Sequence, residues 1–134
     1  MSAEASKREK ALMGFLWEQN RPVTSLEIFE ELADVMCNIT YVHRTLTALE
    51  NKGMIRAVGL VKVNSKYART FIYLKSREEV AAEYAKEMGI NAKHIGKFAL
   101  ALVKDEDDDK EAREKLITEL EEIIAELREE EDGE

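Results

Sequence analysis

In the run ITYVHRTLTALENKG, residues 39–53, Thr40, Arg44, Thr47 and Asn51 recur at intervals of four, three and four. That spacing sets them on one face of a helix. Ala48 lies beside them, and Tyr41 and His43 stand at the margins. The face offers hydroxyls, a guanidinium and an amide, with no carboxylate among them. Groups of this kind make and break no covalent bonds in such an array. They exchange hydrogen bonds with a polar, anionic partner. A guanidinium can give two bonds to the edge of a guanine, and an amide can do the same for adenine. Tyrosine and threonine hydroxyls suit phosphate oxygens, and the threonine methyl suits thymine. The side chains are also short enough for a helix that must enter a major groove.

The charge around this helix supports an anionic partner. From Met36 to Lys75 there are seven basic residues (Arg44, Lys52, Arg56, Lys62, Lys66, Arg69 and Lys75) and one acid, Glu50. The whole chain of 134 residues nevertheless carries a net charge of −8. Residues 1–75 hold 11 basic and 8 acidic residues, a net of +3, and residues 76–134 hold 9 and 20, a net of −11. A local field opposite in sign to the global one marks a surface for a specific partner. The split suggests two parts, a basic unit over 1–75 that meets nucleic acid and an acidic region over 76–134 kept away from it.

The elements that must position these residues can be read from the pattern. Leu12, Met13, Leu16 and Trp17 predict a first helix over about 6–19, which Asn20-Arg-Pro22 breaks. Thr24-x-x-Glu27 fits a capping box for a second helix, with Leu26, Ile28, Phe29 and Leu32 as its apolar positions. Asn38 suits the N-cap of the third helix, Val42, Leu46 and Leu49 its core side, and Gly53 its stop. Two strands follow, over 55–63 and 68–74, joined by a turn at Asn64-Ser65-Lys66. A short strand near Pro22-Val23 would complete a small sheet. The order of three helices and a basic hairpin is that of a winged helix. Beyond it, Ser76-x-x-Glu79 opens a further helix ended by Gly89, residues 91–103 read as helical, and DEDDD over 105–109 reads as an acidic connector. A last helix runs over about 110–130, ahead of a frayed tail. Its Leu116, Leu120, Ile123 and Leu127 form a heptad-like stripe that asks for a partner helix.

Several motifs in this chain are similar to those of the BlaI/MecI penicillinase-repressor family, which also includes the CopY copper-responsive repressors. LMGFLWEQNRPVTSLEIFEEL resembles the family's opening, with Glu9, Met13, Trp17, Val23-Thr24 and Glu27-Ile28 in order. TLTALENKGMI, ARTFIYLKSREE and GKFALALVKDEDDDKEAREKLITELEEII resemble its recognition helix, wing strand and dimerisation helices. The resemblance implies a homodimeric repressor whose winged helices read a partly palindromic operator in double-stranded DNA. It puts Thr40, Tyr41, Arg44, Thr47 and Ala48 on the recognition helix, Lys52 just after it, and Phe98, Leu102, Leu116, Leu120, Ile123 and Leu127 in the dimer region. His43, Asn51 and the hairpin residues Lys62, Lys66 and Arg69 complete the expected DNA surface. The wing, from Val58 to Ala68, is several residues longer than the family's usual one. Ala101-Leu102 stands where the penicillinase repressors carry a cleavable Asn-Phe pair, which leaves any upstream sensor or protease unidentified. The chain has no cysteine after Cys37, whereas the copper-responsive members carry C-terminal Cys-x-Cys pairs.

Other chemistries find no support in the pattern. The two histidines and one cysteine lack zinc spacing, and the acidic run lacks the glycine and final glutamate of a calcium loop. With no phosphate loop or nucleophile elbow, neither catalysis nor a cofactor is expected. Cys37 is expected to pack as a buried thiol. No segment reaches the apolar length of a membrane span, and the opening MSAEASKREK has no apolar signal core, so the expected compartment is the cytoplasm. Two alternatives to a repressor remain at this level. One is a winged-helix protein-interaction module. The other is a small-molecule-gated regulator of the MarR type, which would need a sizeable apolar pocket between the wing domain and the helical tail.

Overall fold

A computed structural model describes residues 3–104 and 109–133. The connector residues 105–108 lie outside the described residues. The chain divides into two compact units, Met1–Gly89 and Ile90–Glu134. In order, the first holds α1 (Ala3–Gln19), β1 (Val23–Thr24), α2 (Ser25–Met36), α3 (Ile39–Asn51), β2 (Ile55–Val63), β3 (Lys66–Tyr73) and α4 (Arg77–Glu87). The second holds a 3-10 turn at Ala92–His94, then α5 (Ile95–Val103) and α6 (Lys110–Asp132). The architecture is a mostly helical winged helix-turn-helix with a small antiparallel sheet, followed by a helical region. Among the described residues, no helix is long and apolar enough to cross a membrane.

One core holds the first unit together. Leu12, Met13, Phe15 and Leu16 of α1 meet Ile28 and Met36 of α2 and Val42, Leu46 and Leu49 of α3. Val23, Ile55 and Phe71 close it from the sheet. Phe15 belongs to this core although its position lies outside the predicted stripe. Leu26, expected inward, is exposed instead, because α2 turns only the side bearing Ile28 and Met36 fully toward the core.

The ends of the helices follow local chemistry. Thr24 Oγ1 accepts from the Glu27 backbone N–H at 3.2 Å, and Glu27 Oε1 accepts from the Thr24 N–H at 3.3 Å, a complete capping box. Arg21 adds an ion pair to Glu27 at 2.7 Å. Asn38 caps α3 by accepting from the Tyr41 N–H at 3.1 Å. Cys37 is a correction to the sequence reading. It is exposed, at φ 71°, because the chain must reverse sharply between α2 and α3 and Met36 takes the buried place.

The sheet has the order β1-β3-β2. Val23 pairs with Phe71, so the short strand at Pro22-Val23 exists as β1 one residue later. The β2–β3 hairpin turns on two residues, Asn64 at φ 49° and Ser65 at φ 69°. Two successive left-handed residues give the twist that a two-residue hairpin needs. Lys66 therefore starts β3 rather than ending the turn.

α4 belongs with the winged helix rather than with the tail. Val80 is buried, Trp17 Nε1 donates to the Lys75 carbonyl at 2.9 Å, and Arg77 lies over the Trp17 ring at 5.3 Å. The compact unit thus runs to Gly89, past the change of charge at residue 75.

Thr24→Ala is expected to cost about 1 kcal/mol in urea unfolding, the usual loss for a cap. The Arg21 guanidinium, hydrogen-bonded to Glu27, holds that carboxyl below its ordinary value of 4.5, with Thr24 assisting and burial opposing. A lowered folded-state pKa stabilises above the unfolded value and loses its effect as pH falls through the folded one. The stability advantage of the native chain over Glu27→Gln should therefore be full near neutrality and shrink below pH 4.5.

Candidate nucleic-acid interface

The core decides which face of α3 meets solvent. Val42, Thr45, Leu46 and Leu49 are buried, and Thr40, His43, Arg44, Thr47 and Asn51 are exposed. Tyr41 and Ala48 are half-buried at the edges of that face. Thr47 Oγ1 donates to the His43 carbonyl at 3.0 Å. Its hydroxyl proton is thereby engaged within the helix, leaving its lone pairs and methyl group for a partner. Thr45 makes the same kind of bond to the Tyr41 carbonyl at 2.7 Å but faces the core.

Tyr41 organises the start of the face. Arg8 of α1 lies over its ring at 3.9 Å and donates to the Val35 carbonyl at 3.4 Å. Arg44 approaches the same ring at 5.6 Å. Two guanidiniums on one aromatic ring are held close despite their repulsion, each attracted by the ring quadrupole. Arg8 is a member of the surface that the sequence did not announce. It sits on α1, in a segment of mixed charge, and only the packing of α1 against α2 and α3 brings it here.

The wing contributes a second basic group. Lys62 pairs with Tyr67 and Leu60 with Arg69, and paired residues share a face of the ribbon. On β3 that face continues to Phe71, which is in the core, so Leu60, Lys62, Tyr67 and Arg69 lie on the side of the sheet that meets the helices. A strict alternation from Ile55 would instead have put Val61 and Val63 there. The register shift between Ala57 and Gly59 accommodates Val58 as an extra residue and reverses the pattern. Lys66 pairs with Val63 and falls on the opposite face. Tyr67, 71% exposed, and Leu60, 64% exposed, are large apolar groups that the wing holds in solvent between cations. Tyr67 is a second missed candidate, its signal being an aromatic between Lys66 and Arg69 in a strand.

The cations differ in how freely they can act. Arg69 pairs with Glu50 at 2.9 Å and lies over Phe71 at 5.0 Å, which ties the wing to α3. Lys52 pairs with Glu9 at 2.7 Å. Among the described residues, no carboxylate pairs with Arg44, Arg56, Lys62 or Lys66. Residues 51–77 contain no Asp or Glu at all. The unit therefore joins a slim polar helix to a cationic wing, which is the arrangement for reading bases while holding phosphates.

The family model of the penicillinase repressor matches residues 5–126. None of the curated proteins matches the chain.

Glu50 is the one acid within the basic segment, and it restrains Arg69. Glu50→Gln should tighten binding to an arbitrary DNA duplex several-fold and steepen the salt dependence by about one unit of slope. Binding isotherms by fluorescence anisotropy at several salt concentrations would check this. An unchanged slope would mean that Arg69 stays away from phosphate.

Proposed function

The chain belongs to the penicillinase repressor family of DNA-binding transcriptional repressors, and on that premise we propose that it works as a homodimer on a partly palindromic operator. The observation that carries the reading is the exposed α3 face with the acid-free wing beside it. Arg44 selects a base by its two donors. Thr40, Thr47, Ala48 and Asn51 line the groove, with His43 and Tyr41 toward the backbone. Lys62 and Lys66, on opposite faces of the wing, reach phosphates on the two sides of the groove it enters. Lys52 and Arg69 serve DNA only after exchanging their carboxylates for phosphate. Binding, not catalysis, is the activity. Occupancy of the operator blocks transcription sterically, and a regulator of this kind works in the cytoplasm.

The second unit supports the dimer. Ile117, Leu120, Ile123, Ile124 and Leu127 of α6 are all exposed, and Leu116 is only half-buried. On α5, Leu102 is exposed and Phe98 half-buried. A region of 45 residues with no buried side chain among those described cannot hold itself together by hydrophobic burial. A second copy supplies the missing partner, and the matching stripes of two α6 helices suit a coiled-coil-like seam. Two half-sites about one helical turn apart, or a multiple of that, follow from two-fold symmetry.

Selection of bound sequences from a random DNA pool by the purified protein tests the whole reading. An enriched, partly palindromic motif is expected, and its absence would count against sequence-specific recognition. Against the selected site, Arg44→Ala should lose about 1–3 kcal/mol and relax the preference at one base pair. Leu120→Asp should convert the dimer to monomer in sedimentation, because it places a charge in the proposed seam. A mutant that remains dimeric would move the seam elsewhere.

A further inference from the structure

A half-open cavity of about 470 Å³ lies on the first unit, between α1, α4 and the last turn of α3. Its walls are apolar and aromatic: Met13 and Trp17 from α1, Met54, and Val80 and Tyr84 from α4. Two cations stand on its rings, Arg77 over Trp17 at 5.3 Å and Lys10 over Tyr84 at 5.9 Å. Neither has a carboxylate partner among the described residues. Of the acids that line the cavity, Glu9 is paired with Lys52 and Glu83 with Lys75, which leaves Glu87 alone at the end of α4. The volume is that of a small-ligand site, and the combination of apolar walls with a few convergent charges is the usual composition of one.

We propose that this cavity is an effector site for a flat aromatic anion, a ring bearing one carboxylate or sulfonate, and that its occupancy weakens DNA binding. The ring fits among Trp17, Tyr84 and the two methionines, where stacking and sulfur–aromatic contacts replace water. The anionic group meets Arg77 and Lys10, neither of which is engaged in an ion pair among the described residues. The coupling is geometric. Leu49 and Lys52, at and just after the end of the recognition helix, also line the cavity, and the Lys52–Glu9 pair joins that end of the helix to α1. A ligand that separates α4 from α1 acts on the same turn that sets the position of α3. DNA and ligand then oppose each other by the reciprocity that governs any two linked sites. The proposal rests on the repressor reading for its consequence, but its site stands on the cavity alone.

Trp17 is the one tryptophan of the chain, so its fluorescence reports the cavity directly. Titration of the full-length protein with 4-nitrobenzoate should quench that emission saturably, and benzoate should compete. The neutral 4-nitrobenzamide should bind at least tenfold more weakly, and so should 4-nitrobenzoate to Arg77→Gln. Ala81→Leu, which narrows the cavity from exposed α4, should abolish saturation without disturbing the fold. At saturating ligand, affinity for the selected DNA should fall at least fivefold in the native chain and stay constant in Ala81→Leu. Linear, unsaturable quenching, or equal binding of the neutral amide, would overturn the site. Saturable binding with unchanged DNA affinity would overturn the gating. Protection of Trp17 from all quenchers at concentrations where the chain dimerises would assign the cavity to the partner copy instead. The ligand-free protein is assayed on DNA in the same experiment, so a failure of the repressor reading is seen separately.

Discussion

Burial of Val42, Leu46 and Leu49 against α1, α2 and the sheet is the constraint on which the rest of the structure depends. These three residues fix the rotation of α3 about its axis. Once they face inward, Thr40, Arg44, Thr47 and Asn51 must face outward, since a helix has only one turn per 3.6 residues to distribute. The polar face is thus held by apolar packing rather than by its own bonds. A surface whose orientation is set in this way by the core loses little conformational freedom on the DNA binding proposed for it.

The same core carries the electrostatics. Phe71 anchors β3 in the core, which sets the direction of the wing and, through the shift at Val58, the face on which Lys62 stands. Glu50 and Glu9 are each spent on a cation, Arg69 and Lys52. Exposed pairs of this type contribute little stability. They matter more as restraints on where two positive side chains rest in the absence of DNA. The acidic residues of the chain are concentrated beyond residue 75, outside the segment that carries the local positive charge.

α4 joins these two aspects. It is part of the winged-helix unit by packing, through Val80 and the stack of Arg77 on Trp17, yet it leads toward the region proposed to dimerise. An element that shares a pocket with the last turn of α3 and directly precedes the second unit in the chain is where a signal has leverage. The cavity along its inner side is consistent with that position.

Much of this was legible in the residues alone. The capping box at Thr24 and Glu27, the cap at Asn38, the stop at Gly53, the hairpin turn and the order of elements follow from local chemistry, because each depends on neighbours within four residues. The inward and outward faces of α3 follow from periodicity. The sequence likewise determined the contrast between a basic segment and an acidic chain. Tertiary structure alone decided what depends on residues distant in the chain. It brought Arg8 onto Tyr41 across 33 positions, matched Lys52 to Glu9, turned Lys62 and Lys66 to opposite faces, exposed Cys37, and shaped a half-open cavity between α1 and α4. The physical reason is that a period or a cap is a property of one segment, whereas a bulge, an ion pair or a cavity is a property of how segments meet.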